Sequence, residues 1–122
     1  MKRILLIDED DNRRTTRILL LRHAGYEVVT AQRFQDVEGH LHEAAYDLVI
    51  VETDNIAKES IAYGERIREV NPQLPILLLS DTGLFLPRHV VLSSFASGSP
   101  SPAEVMAMVT TLLAQSGHHR EK

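Results

Sequence analysis

Short apolar runs alternate along this chain with longer stretches in which apolar residues recur every three or four positions. Arg3-Ile4-Leu5-Leu6-Ile7 is a compact run that ends in acid and predicts a buried strand. Glu27-Val28-Val29-Thr30, Leu48-Val49-Ile50-Val51 and Ile76-Leu77-Leu78-Leu79 are runs of the same kind, and Val90-Val91-Leu92 predicts a fifth strand. Helical patterns fill the gaps. Asn12 to Ala24 carries Ile18, Leu19, Leu20 and Leu21 and stops at Gly25, the residue type that most readily takes the positive φ of a helix end. Phe34, Val37, Leu41 and Ala44 recur at helical spacing, and Tyr63, Ile67 and Val70 form a weaker stripe closed by Asn71-Pro72. Ser101-Pro102-Ala103-Glu104 combines a capping serine, a proline at the first helical position and a glutamate able to reach back. Val105, Met108, Val109, Leu112 and Leu113 continue that helix, which is expected to end near Ala114.

Strand and helix thus alternate, and the strands are apolar throughout. That combination predicts an α/β fold: a doubly wound, five-stranded parallel sheet with helices on both faces. Right-handed crossovers leave few topologies, and the flavodoxin-like strand order 2-1-3-4-5 is the expected one. It makes strands 1 and 3 neighbours at the switch point, where ligand chemistry collects at the C-terminal strand ends. Residues 1–115 are expected to form one domain, with 116–122 a polar tail or the start of a linker.

Composition narrows the functions open to this fold. The 122 residues include no cysteine, which excludes disulfides, thiol catalysis and cysteine-held metals. A net charge of −4 and 5% aromatic residues disfavour nucleic-acid binding by this chain alone. No apolar run is long enough for a membrane span and no secretory leader is recognisable, so a cytoplasmic setting is expected. At this length the sequence is expected to hold one domain, without a separate output domain of its own.

Acids are the chemistry-bearing residues. Strand 1 ends in Asp8-Glu9-Asp10-Asp11 and strand 3 ends in Glu52, so the topology places these carboxylates in one crevice. Clustered carboxylates either share a cation or raise a pKa, and an oxygen-rich set suits Mg²⁺. Arg13, Arg14 and Arg17 read as a solvated helix face. His40 and His42, two apart on a helix, are poor metal partners. No glycine-rich phosphate cradle follows strand 1.

Taken in order, Ile4-Leu5-Leu6-Ile7-Asp8-Glu9-Asp10, Gly25-Tyr26-Glu27-Val28-Val29-Thr30-Ala31, Tyr46-Asp47-Leu48-Val49-Ile50-Val51, Ile67-Arg68, Pro72 to Ser80 and Ser101-Pro102-Ala103-Glu104 resemble the receiver domain of bacterial two-component response regulators. The resemblance covers almost the whole chain. It implies a domain that takes a phosphoryl group from a kinase phosphohistidine onto an aspartate and then switches a distant face. It also implies that Asp8 and Glu9 hold Mg²⁺, with Glu52 beside them, that Ser80 contacts the phosphoryl group, and that Phe95 is the aromatic switch.

The departures from that pattern carry as much weight. The acceptor position is Glu52, and the family spacing from there to Ile67-Arg68 holds without a gap. The lysine that should follow strand 5 falls at Gly98, and no lysine lies between Lys58 and Lys122. Glutamate displaces its carboxylate by roughly a bond length, and phosphoryl transfer depends on positioning and charge. Glu52 is open to three readings: a mimic of the phosphorylated acceptor, an inert relic, or a ligand to a cation with Asp8 and Glu9. After Ser80, the segment that should be the family's fourth helix contains Gly83 and Pro87 and is short, so that helix is expected to be shortened or lost. Leu84, Phe85 and Leu86 there either cover the sheet or form a partner surface.

The sequence therefore reads as a degenerate receiver, a pseudo-receiver that is no enzyme and acts through protein–protein contact. Its partner would be a sensor kinase or an output domain in a longer chain, and the output face would also admit a homodimer. No cofactor is required, with Mg²⁺ the one candidate. The alternatives are a phosphorylation-competent, Mg²⁺-dependent receiver in a phosphorelay and a flavodoxin-like small-ligand binder.

Overall fold

Six residues from Arg3 to Asp8 form β1, and their side chains alternate between two apolar layers. Leu5 and Ile7 pack with Val49, Val51, Ile67, Ile76 and Leu78 on one face of the sheet. Ile4 and Leu6 pack with Leu48, Ile50, Leu77 and Leu79 on the other. All four of these β1 side chains are fully buried, as expected of a central strand covered on both sides. The computed structural model describes residues 1–8, 10–31, 33, 36–53, 58–80, 94–97 and 101–120.

The elements follow in the order β1, α1 (Asp11–His23), β2 (Glu27–Ala31), α2 (Val37–Glu43), β3 (Leu48–Thr53), α3 (Lys58–Val70), β4 (Ile76–Ser80), β5 (Ser94–Ser97) and α4 (Pro102–Arg120). Every strand pair is parallel, and the sheet order is β2-β1-β3-β4-β5. Val37 and Ile67, from α2 and α3, close one apolar layer. Leu21 of α1 and Val105, Val109, Leu112 and Leu113 of α4 close the other. Tyr63, the first residue of the α3 stripe, carries no described side chain, and Val70 at its end is 39% exposed.

Local signals set the helix ends. Asp10 caps α1 by accepting a hydrogen bond from the Arg13 amide at 2.8 Å. At the other end the Gly25 amide donates to the Arg22 carbonyl and the Tyr26 amide to the Leu21 carbonyl, at 2.9 and 3.2 Å. This is a Schellman closure, and Gly25 takes the φ of 96° that it demands. The capping box read from the sequence is formed at α4: the Glu104 amide donates to Ser101 Oγ, and the Ser101 amide donates to Glu104 Oε1, each at 3.2 Å.

The fifth strand that the structure describes is Ser94–Ser97, which pairs with β4 from Leu77↔Ser94 to Ser80↔Ser97. The expected Val90-Val91-Leu92 run lies outside the described residues. Residues 81–93, on which the expected shortening or loss of the fourth helix and the expected roles of Leu84, Phe85 and Leu86 fall, lie outside the described residues. The last helix runs to Arg120, past the Ala114 end suggested by its apolar stripe.

Candidate functional site

β1 and β3 lie side by side with Asp8 in register with Glu52. Both residues end their apolar runs, so parallel pairing sets two carboxylates together at the C-terminal edge of the sheet. Both are buried: Asp8 is 0% exposed and Glu52 8%. Asp8 is the more deeply buried of the two. The Asp10 amide donates to Asp8 Oδ1 at 2.9 Å.

The cap at Asp10 fixes the phase of α1. Arg13 and Arg17 lie one turn apart on one face, eight and four residues ahead of the fully buried Leu21. That stripe points at the sheet edge. Arg13 donates from Nε to Asp8 Oδ2 at 2.8 Å and from Nη2 to Asp8 Oδ1 at 2.6 Å. Arg17 donates from Nε to Glu52 Oε1 at 3.0 Å and from Nη2 to Glu52 Oε2 at 2.8 Å. Each guanidinium thus grips one carboxylate side-on with two parallel hydrogen bonds, the strongest geometry such a pair has. The two pairs are linked, since Arg13 Nε also lies 3.6 Å from Glu52 Oε2. Arg14 turns to the other side, donating to the Asp8 carbonyl at 2.7 Å and pairing with Asp11.

The solvated helix face expected for these arginines is therefore corrected. Arg17 is only 9% exposed, and its stem and head are both committed to the interior. Charged side chains this buried are retained where they are paired and hydrogen-bonded. Two carboxylates and two guanidinia make the described site neutral as a unit.

Magnesium is the ion that the receiver resemblance implies here, so the donor set bears on it. Each of the four carboxylate oxygens already accepts at least one N–H. An entering dication would also meet two cationic groups in direct contact with those oxygens. The described residues fit guanidinium and do not fit Mg²⁺. Among the described residues, no three His, Asp or Glu side chains converge as a metal site.

The other residues singled out in the sequence are placed as follows. Glu9, the second half of the acidic pair, lies outside the described residues, as does Gly98. Ser80 ends β4, in register with Thr53 and with Ser97, one step beyond the Glu52↔Leu79 row. Phe95 sits on β5 opposite Leu78. The sheet thus brings Asp8, Glu52 and Ser80 to one edge. Arg13 and Arg17 are the site residues that the sequence reading passed over. A signal for them existed in the i, i+4, i+8 stripe Arg13–Arg17–Leu21 that follows a capping aspartate.

Comparison with known proteins agrees with this fold. Residues 3–95 match the family model described as flagellar regulatory protein FleQ. The transcriptional regulatory protein ZraR of Salmonella typhimurium is 32% identical over 77 residues, which are 63% of this chain and 18% of ZraR. The chain thus spans about a fifth of the length of the curated relatives it matches. A CheY-like response regulator receiver domain protein from Methanospirillum hungatei superposes with a TM-score of 0.85 at 14% identity, covering 98% of both chains. The response regulator TrrA of Thermotoga maritima, solved with Mg²⁺–BeF, superposes with a TM-score of 0.81 at 24% identity, covering 92% of this chain and 99% of TrrA. TrrA is also solved in complex with the histidine kinase ThkA.

Proposed function

The chain belongs to the family of the flagellar regulatory protein FleQ and has the receiver fold of response regulators, and on that premise we propose that it signals by protein–protein contact without conventional phosphorylation. The observation that carries this reading is the state of Glu52. It stands at the acceptor position, and both of its oxygens accept hydrogen bonds from the buried Arg17. An acceptor carboxylate must offer an oxygen in line with the phosphoryl donor, and errors near 1 Å lower such rates about a hundredfold. Here the carboxylate is one methylene longer than aspartate and both oxygens are engaged.

Charge supports the same conclusion. Phosphoryl transfer is driven mostly by positive charge set against the transferred group. No lysine follows β5 before the chain's last residue. The arginines near the acceptor already spend their charge on Asp8 and Glu52. Permanent mimicry of the phosphorylated state is the weaker reading, since a carboxylate offers one charge where a phosphoryl group offers nearly two, and Arg17 neutralises it. The domain then performs no chemistry of its own. Its partner is a protein, either a kinase-like component or an output domain joined to it in a longer chain, and the family description points to flagellar regulation as the pathway.

Incubation with acetyl phosphate and Mg²⁺, followed by intact-mass measurement, tests the proposal. The expected result is an unchanged mass. A stable phosphoryl adduct that Glu52→Gln abolishes would overturn it.

A further inference from the structure

The proposed function explains why a phosphoryl group is not accepted; the arginine pair says something about the metal. We propose that Arg13 and Arg17 are the resident, tethered cations of this site, replacing a divalent ion and closing the crevice to one. The inference rests on reading the site as that of a receiver, and it deepens that reading.

Two carboxylates buried side by side at neighbouring strand ends repel each other and lose hydration, so the fold needs positive charge between them. A mobile Mg²⁺ would supply two positive charges. The chain supplies the same two charges from consecutive turns of α1, each delivered through a side-on pair of hydrogen bonds. The 3.6 Å contact from Arg13 Nε to Glu52 Oε2 joins the pairs, so the guanidinia also perform the bridging that a shared ion would perform.

A tethered cation differs from a free one in its consequences. It is present at every ionic composition and holds α1 to the sheet edge permanently. The Arg13 side chain is 21% exposed and lies toward solvent, whereas Arg17 is the buried half. Arg13 therefore stands between solvent and the acids, and its removal is what would admit an ion. Hard divalent cations that favour oxygen ligands would then find, among the described residues, the Asp8 carboxylate held by the Asp10 amide alone.

The test is paramagnetic broadening of the backbone amide spectrum by Mn²⁺ alone. It compares the unaltered chain with Arg13→Ala and with Arg13→Gln, which keeps most of the stem volume if the alanine variant folds poorly. In the unaltered chain, millimolar Mn²⁺ is expected to give no saturable broadening at Leu6–Asp8 or Val51–Glu52. In the variants, saturable broadening centred there is expected, with affinity at least about tenfold tighter, worth roughly 1.4 kcal/mol. Saturable broadening at those residues in the unaltered chain would overturn the inference. So would a folded variant of either kind that binds Mn²⁺ no better. A phosphoryl adduct in the mass measurement bears on the proposed function instead, so the two failures are distinguishable.

Discussion

Replacing Arg17 by alanine probes the site most sharply, because the structure allows the loss to be worked out. Glu52 is 8% exposed, and Arg17 gives it two hydrogen bonds, at 3.0 and 2.8 Å. Removing one partner of a buried pair leaves the other charge uncompensated, which costs about 3–5 kcal/mol. Arg13 stays 3.6 Å from Glu52 Oε2 and recovers part of this, bringing the expected loss to roughly 2–4 kcal/mol. A domain of this size has a total stability of about 5–15 kcal/mol, so the variant remains folded but is visibly weakened. Urea denaturation with a shared m-value reads the difference directly. The double variant Arg17→Met/Glu52→Leu supplies the internal control. An apolar pair of similar volume removes both charges at once and should recover most of the loss, since such replacements are often neutral. A loss under about 0.5 kcal/mol for Arg17→Ala is what an exposed ion pair gives, and would refute the claim that this pair is an internal part of the site.

Three further outcomes follow from the fold. Ser101→Ala breaks the reciprocal cap of α4 and should lower stability by about 1 kcal/mol in the same denaturation assay. Gly25→Ala forces a side chain into a φ of 96° and should lower stability by about 1 kcal/mol through backbone strain alone, because no atom lies within 4 Å of the added carbon. Burial raises the Tyr46 phenol above its usual value of about 10, with Arg3 opposing in part. The unfolded chain therefore ionises first, so the Tyr46 contribution to stability is complete below pH ~10 and is lost as pH rises through the folded value. Tyr46→Phe should flatten the alkaline limb of a stability–pH curve relative to the unaltered chain, and an unchanged limb would count against the assignment.

How legible each element was in the sequence depended on what holds it in place. β1, β3 and β4 are buried on both faces, so they must be continuous apolar runs, and Ile4–Ile7, Leu48–Val51 and Ile76–Leu79 were recognisable for that reason. The Ser101–Glu104 cap and the Gly25 closure are local chemistry and were equally readable. Ser94-Phe95-Ala96-Ser97 is no apolar run: it is held by its pairing with β4, and pairing leaves little trace in composition. α4 continues to Arg120 beyond its apolar stripe, as a helical ladder of backbone hydrogen bonds can once nucleated. In the site, parallel register brought Asp8 to Glu52 as the topology implied. The arginines were passed over because charged residues on a helix usually face water. Only the phase set by Asp10, with Leu21 one turn beyond Arg17, turns that stripe inward.

As proposed above, this receiver-fold domain neither takes nor responds to a phosphoryl group. Titration of the ¹⁵N-labelled chain with beryllofluoride in the presence of Mg²⁺, followed by backbone amide spectra, tests it most directly. The spectrum is expected to stay unchanged around Asp8, Glu52 and Ser80 across the titration. Saturable shifts at those positions that spread to β5 would contradict it.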